Sequence, residues 1–386
     1  MRPPEPVAAA LRALPRPVCA YVYDTAALRG RAAAVRAALP PAATLLYAVK
    51  ANGHPDVVRT LAAACDGLEV ASGGELALAV AAGARRIVFG GPAKTDAELA
   101  AALAARAQLN VESGHELRRV DVAARAAGTT AAVTVRVNRA GAALPGSHAM
   151  TGTATPFGVD EKDLPAVLAL AATLPAVQVT GFHLHAVSNN LDATAHAAFV
   201  ADALTWSRQC AAAHGIDLHV VNVGGGLGVD YTGDATIDLG ALRSGLAGLD
   251  LTGVDLIVEP GRILAADAGW YAAEVLDLKH THGRWFAVLR GGTHHFRLPA
   301  AWGYSHPFTV LPVDAWPYDW ARPEIGNTAV DAVGELCTPR DVLARDHPVD
   351  RLRVGDILVF ARTGAYGWDI SHHDFLHHPH PRFVVL

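Results

Sequence analysis

Lys50, His185, Glu259 and the run Gly224-Gly225-Gly226 are the residues whose types and positions could do chemistry together. Lys50 ends the apolar run Thr44-Leu45-Leu46-Tyr47-Ala48-Val49, which reads as a buried strand. A lysine there either reaches water just past the strand or serves as a sheltered amine, neutral enough to act as a nucleophile. Other apolar runs also end on polar groups: Glu69 with Ser72, Asn110 with Glu112, Arg136, His183 with His185, and Glu259. Gly224-Gly225-Gly226-Leu227-Gly228 lets backbone N–H groups approach a phosphate. Its spacing is not the GxGxxG of a dinucleotide fold. Glu259-Pro260-Gly261-Arg262 offers a further N–H and a cation. An amine, a phosphate cradle, a carboxylate and an imidazole suit pyridoxal phosphate. Lys50 would form the Schiff base, Glu259 would keep the ring nitrogen protonated, and His185 would stack on the ring. The ring would then accept the electrons left behind by departing CO₂.

Such residues need a scaffold that brings strand ends to one face. Short β-type runs at Thr44–Lys50, Gly67–Ser72, Arg86–Gly91, Ala107–Ser113, Ala132–Asn138, Val177–Ala186, Leu218–Gly226 and Asp255–Pro260 alternate with Ala-rich segments of helical spacing. This predicts an α/β fold, a (β/α)8 TIM-like barrel with its active site at the strand C-termini. An open doubly wound sheet has the same alternation. After Gly261 the rhythm changes to strands Trp270–Lys279, Arg284–Arg290, Ala329–Leu336, Asp356–Arg362 and Arg382–Leu386, joined by turns rich in Gly, Pro and His. That predicts a C-terminal all-β domain. The opening stretch, ending in Val18–Tyr23, precedes the barrel and could add a strand to it.

A net charge of -5 gives no reason to expect nucleic acid or an anionic membrane as partner. The most apolar long segment, Leu164 to Phe182, is broken by Pro165, Pro175 and Gln178, and reads as helix, turn and strand. Cys19, Cys65, Cys210 and Cys337 are scattered without CxxC spacing, as in reduced thiols. No signal peptide is evident at Met1–Pro6, so the expected location is the cytoplasm.

Seven motifs fall in order along the chain: Tyr47-Ala48-Val49-Lys50-Ala51-Asn52, Glu69-Val70-Ala71-Ser72-Gly73-Gly74-Glu75, His183-Leu184-His185-Ala186-Val187-Ser188, Gly224–Gly228, Glu259–Arg262, Gly334-Glu335-Leu336-Cys337 and Gly364-Ala365-Tyr366-Gly367. Together they resemble the alanine-racemase-fold pyridoxal phosphate decarboxylases, the family of ornithine and diaminopimelate decarboxylases. The resemblance implies a cofactor-binding barrel at 24–264. Residues 1–23 and 265–386 would form a β-domain that completes the active site and the dimer interface. It makes Lys50 the Schiff-base lysine, His185 the ring-stacking residue and Glu259 the partner of the ring nitrogen. Glu69 and Arg136 would line the cofactor pocket, with Ser188, Gly225, Gly226, Gly261, Arg262 and Tyr366 on the phosphate. Cys337, supplied by the partner in a head-to-tail homodimer, would protonate the carbon after CO₂ is lost. Two positions depart from the pattern. Val187 stands where the family has Gly, and Thr338 stands where decarboxylases of basic diamino acids carry an acid.

From Leu278 to Val313 there is no Asp or Glu, while Lys279, Arg284, Arg290, His294, His295, Arg297 and His306 all fall there. A basic rim of this kind suits a substrate tail carrying carboxylates, with His294, Arg297, Thr338 and Tyr366 as contacts. Gly292–Pro299 and Ser371–Pro379 resemble the branch of the family found in siderophore assembly, which acts on citryl-diaminopropionate. The histidines of the tail, His372, His373, His377, His378 and His380, match no zinc motif, so no metal is expected; they would line the pocket mouth or the dimer surface. The expected function is pyridoxal-phosphate-dependent α-decarboxylation of a carboxylate-bearing, citryl-diaminopropionate-type intermediate in siderophore biosynthesis. Decarboxylation of free ornithine, lysine or meso-diaminopimelate, racemisation, and cofactor binding without turnover are the alternatives.

Overall fold

The computed structural model describes residues 2–141 and 144–386; Met1, Ala142 and Ala143 lie outside them. The chain divides into two compact units, one of Arg29–Asp230 with Ala235–Leu264, the other of Met1–Leu28, Tyr231–Asp234 and Ala265–Leu386.

In the first unit the strands Thr44–Ala48, Gly67–Val70, Ile87–Phe89, Gln108–Val111, Ala131–Asn138, Val177–His183, Val220–Asn222 and Asp255–Val258 are parallel neighbours in chain order. Asp255–Val258 pairs back onto Thr44–Ala48, so the ring is closed and the open-sheet alternative is excluded. Parallel strands are covered on both faces, and their sequences are accordingly continuous apolar runs. Leu46, Val88, Val220 and Ile257 meet in one buried cluster drawn from four strands. Helices begin close after the strand ends because N-cap side chains sit there. Ser72 accepts from the Glu75 amide, Ser113 from that of Glu116, and Thr95 with Glu98 forms a reciprocal capping box. The strand in Leu218–Gly226 is only Val220–Asn222, because Gly224 and Gly226 adopt φ of +67° and +100° and turn the chain away.

The second unit is built on a sheet in the spatial order Phe308–Leu311, Ile357–Phe360, Gly269–Thr281, Arg284–Leu289, Glu324–Val333 and Val342–Arg353. Cys19–Tyr23 pairs antiparallel with Gly269–Thr281 and parallel with Arg382–Val385. The N-terminal strand therefore does not extend the barrel, which as a closed ring has no edge to offer. All five of its residues are buried, and a position between two neighbours provides that cover. Val7, Leu11, Val18, Val22, Trp270, Leu311, Ile357 and Val359 belong to this unit's core. Among the described residues, no helix is long and apolar enough to cross a membrane.

Candidate active site

Strand Thr44–Ala48 runs into a single 3-10 turn, Val49–Ala51, which buries Val49 and Ala51 and leaves the Lys50 side chain 46% exposed. Lys50 Nζ lies 2.6 Å from Oε2 of Glu69, on the adjacent strand. Glu259, at the end of the last strand, is buried; Asn222 Nδ2 donates to its Oε1 at 2.5 Å, and His183 Nε2 lies 3.8 Å from its Oε2. Burial and the Glu69 carboxylate push the Glu259 carboxyl up to about 8, against the pull of Lys50, Asn222 and Arg136. Glu259 thus holds a proton at neutral pH. Burial, seconded by Arg136, drives His183 and His185 well below the ordinary histidine value, so both imidazoles are neutral. Their rings are 6.4 Å apart.

Arg136 Nη1 lies 3.1 Å from Glu112 Oε1, and its guanidinium sits 4.7 Å from the Phe157 ring centre. Glu112 also accepts the amides of Gly91 at 3.1 Å and Gly158 at 2.8 Å. The same wall contains Lys94, which the sequence reading passed over. Its Nζ donates to Gly91 O at 2.6 Å, Asn110 O at 2.8 Å and Glu116 Oε1 at 2.6 Å. Asn222 was missed as well, although a polar residue closing an apolar strand is the same signal that picked out Glu259.

The glycine run fits closely between its neighbours. At Gly224 a Cβ would collide with the His185 ring, and at Gly225 it would stand 2.5 Å from the Glu259 carbonyl oxygen. Asn222 Oδ1 accepts the Gly224 amide at 2.8 Å, and Gly226 O accepts the Asn190 amide at 2.7 Å. A Cβ at Gly261 would lie 2.8 Å from that of Ala51, which brings the Glu259–Arg262 turn beside the Lys50 turn. Arg262 is buried at the start of the short helix Arg262–Ala265, and Ser188 forms with Val187 a two-residue strand paired to His148–Ala149. Lys50, Glu69, Arg136, His185, Ser188, Gly225, Gly226, Glu259, Gly261 and Arg262 thus all belong to the barrel unit.

Cys337, Thr338, His294, Arg297 and Tyr366 belong to the other unit. Cys337 is exposed. Beside it opens a cavity of about 580 Å³ whose lining includes Thr293, Arg297, Ser305, Thr338, Arg340 and His372, with no Asp or Glu. His294 is fully buried, lies 3.4 Å from Glu335 Oε1 and is not part of that lining. The basic stretch is likewise not a continuous rim, because acids remote in sequence neutralise it. Arg284 pairs with Asp331 and Asp346, and Arg290 with Glu335. His306 is buried with Nε2 2.8 Å from Ala361 O. Tyr366 has φ of +54°. In the tail, His373 stacks on Trp368 at 3.5 Å, His378 lies 3.6 Å from Glu335 and His380 2.9 Å from Asp374. Among the described residues, no group of three or more His, Cys, Asp or Glu is placed to hold a metal ion.

Residues 25–266 match the family described as pyridoxal-dependent decarboxylase, pyridoxal binding domain. The chain belongs to the pyridoxal-dependent decarboxylases. The 2-[(L-alanin-3-ylcarbamoyl)methyl]-2-hydroxybutanedioate decarboxylase of Staphylococcus aureus is 39% identical over 100% of this chain and 98% of its own length. The L-glutamyl-[BtrI acyl-carrier protein] decarboxylase of Niallia circulans is 31% identical over 94% of this chain and 87% of its own. Among solved structures, diaminopimelate decarboxylase of Helicobacter pylori complexed with L-lysine superposes with a TM-score of 0.83 at 27% identity, covering 96% of this chain and 91% of that one.

The decarboxylase's cofactor is pyridoxal phosphate, and the barrel face suits it. Both ring nitrogens of His183, Nδ1 of His185 and Nδ2 of Asn110 are buried with no hydrogen-bond partner among the described residues. Buried polar atoms of this kind are costly unless a ligand or water satisfies them. The Gly224–Gly226 turn supplies backbone where side chains would not fit, and Lys50 is the exposed amine beside it.

Proposed function

We propose that this decarboxylase removes the α-carboxylate, as CO₂, from an amino acid whose side chain is joined through an amide to a carboxylate-bearing group. This is the class of compound that the S. aureus relative is named for, and it places the enzyme in siderophore assembly. The cavity beside Cys337 carries the reading. Arg297 and Arg340 face it with no carboxylate partner among the described residues, Thr293, Ser305 and Thr338 add hydroxyls, and no acid lines it. Guanidinium groups recognise carboxylates through paired N–H donors. A distal ammonium would instead require an acid, and Thr338 is not one.

When bound, pyridoxal phosphate supplies the electron sink that takes up the pair freed by breaking the bond to the carboxylate. Lys50 is its covalent attachment point, and Glu69 orients the Lys50 amine. Glu259 holds a proton where a pyridine-type nitrogen would share it. Arg136 and neutral His185 line the ring pocket. Ser188, Gly225, Gly226, Gly261, Arg262 and Tyr366 hold the phosphate. Cys337 returns a proton to the substrate carbon, reaching the site of the second subunit in a head-to-tail homodimer. Residues 24–264 form the cofactor-binding domain in this scheme, and 1–23 with 265–386 complete the site and the interface. Four free cysteines support a reducing, cytoplasmic location.

The test is CO₂ release from citryl-diaminopropionate compared with ornithine, lysine and meso-diaminopimelate. Release chiefly from the citryl compound is expected. Preference for a free diamino acid would replace this reading with decarboxylation of that diamino acid.

A further inference from the structure

Two residues before Cys337, one carboxylate gathers three basic side chains. Glu335 Oε1 forms an ion pair with Arg290 Nη1 and lies 3.4 Å from His294 Nε2 and 3.6 Å from His378 Nδ1. Burial works to raise its pKa, yet His294, Arg290 and His378 together hold it below the ordinary carboxyl value. The Glu335 amide donates to Gly291 O at 2.9 Å, which fixes the backbone at the same point. A second carboxylate closes the other end of the loop. Buried Asp341 accepts the amides of Thr293 at 2.6 Å and Leu336 at 2.8 Å.

Between these anchors the chain folds on itself. The Thr338 amide donates to Leu336 O at 2.8 Å and the Asp341 amide to Thr338 O at 3.2 Å, with Cys337 exposed at the tip. The clamp also reaches the C-terminal segment, through His378 and through Arg290 Nη2, which donates to Pro379 O at 3.0 Å. A largely covered charge of this kind is held by its partners and costly to leave without them.

We propose that Glu335 is a positioning residue for the Cys337 thiol. With Arg290, His294 and His378 it fixes the loop so that the S–H proton reaches one face of the carbon that has lost CO₂. The inference rests on the reading of Cys337 as proton donor. The thiol proton bonds to that carbon through the electron pair freed by loss of CO₂, and the thiolate regains a proton from solvent. The step needs no oxidant or reductant.

Two measurements test it. Turnover of citryl-diaminopropionate in D₂O by the holoenzyme reports the configuration of the deuterium placed at the former α-carbon. Amide exchange of residues 334–341 in the cofactor-free protein reports the loop without any turnover. Glu335→Gln keeps the shape and removes the charge, while His378→Ala removes one arm of the clamp from the half-buried tail. Both variants should speed loop exchange, Glu335→Gln by about tenfold or more, and both should yield product of mixed configuration, as Cys337→Ala should. Wild-type exchange and a single configuration in Glu335→Gln, alongside mixing in Cys337→Ala, would overturn the proposal. A single configuration in Cys337→Ala would remove the role of Cys337, and this inference with it. If Glu335→Gln fails to fold, His378→Ala decides: wild-type exchange and configuration there overturn the clamp.

Discussion

Asn222 Nδ2 and Glu259 Oε1 stand 2.5 Å apart in a hydrogen bond buried between the last two barrel strands. The donor is uncharged, so it eases ionisation of Glu259 without cancelling it. Asn222→Ala is expected to push the Glu259 carboxyl further up and to weaken cofactor binding by roughly 2- to 10-fold, the range for losing a hydrogen bond between neutral groups. Titration of the cofactor-free protein with pyridoxal phosphate, followed by absorbance, measures this. Unchanged affinity would leave Asn222 without a part in cofactor retention.

Glu259 also predicts how the cofactor-free fold responds to pH. Its carboxyl lies at about 8 when folded, against 4.5 ordinarily, so the folded chain keeps a proton that the unfolded chain has lost. The stability tied to that proton is full below about pH 4.5 and is lost as pH rises through about 8, at most a few kcal/mol. Glu259→Gln removes the effect. In urea melts at pH 5.5 and 8.5, the variant should gain on the wild type at the higher pH. A constant difference would show Glu259 ionised in the folded protein throughout.

Lys50→Ala should abolish the long-wavelength absorbance of covalently held cofactor and lower CO₂ release by at least about 10³-fold. Lys50 is also the ion-pair partner of the buried Glu69 carboxylate, so the melting temperature of the cofactor-free protein should fall as well. A retained absorbance band would assign the attachment to another lysine.

Arg297→Ala and Arg340→Ala each remove one guanidinium that has no carboxylate partner among the described residues from a cavity lined by no Asp or Glu. Each should raise KM for citryl-diaminopropionate by about 10- to 100-fold, the effect of one charge-assisted contact. Any residual turnover of ornithine should change by less than about threefold. Equal effects on both substrates would argue against a carboxylate tail in this cavity.

Gly224 adopts φ of +67° and leaves no room for a Cβ beside His185. Gly224→Ala should destabilise the barrel by about 1–3 kcal/mol and displace the imidazole, with cofactor affinity falling in parallel. Thermal melts and cofactor titration on one preparation would check both, and a variant that melts and binds like the wild type would refute the steric argument.

The barrel was legible because its strands are covered on both faces, so each reads as an apolar run and a polar residue closing it stands out. Lys50 and Glu259 were found that way. The strand Val342–Arg353 escaped because charges and Pro348 interrupt its pattern. The basic stretch was misleading for a related reason. Composition shows where charges lie along the chain, but Asp331, Asp346 and Glu335 neutralise Arg284 and Arg290 across strand pairs that only the fold creates. Arg340 did not stand out because the cavity it shares with Arg297 joins positions forty-odd residues apart.

The chain has only four lysines, Lys50, Lys94, Lys162 and Lys279. Lys94 lies in the same barrel wall as the candidate site, yet its Nζ makes three hydrogen bonds and its side chain is 1% exposed. Those three bonds use all three protons of an ammonium, leaving no lone pair with which to attack an aldehyde. Of the two lysines in this wall, Lys94 is thus held by its own hydrogen bonds, and a small aldehyde probe reduced onto the cofactor-free protein should label Lys50 and spare Lys94.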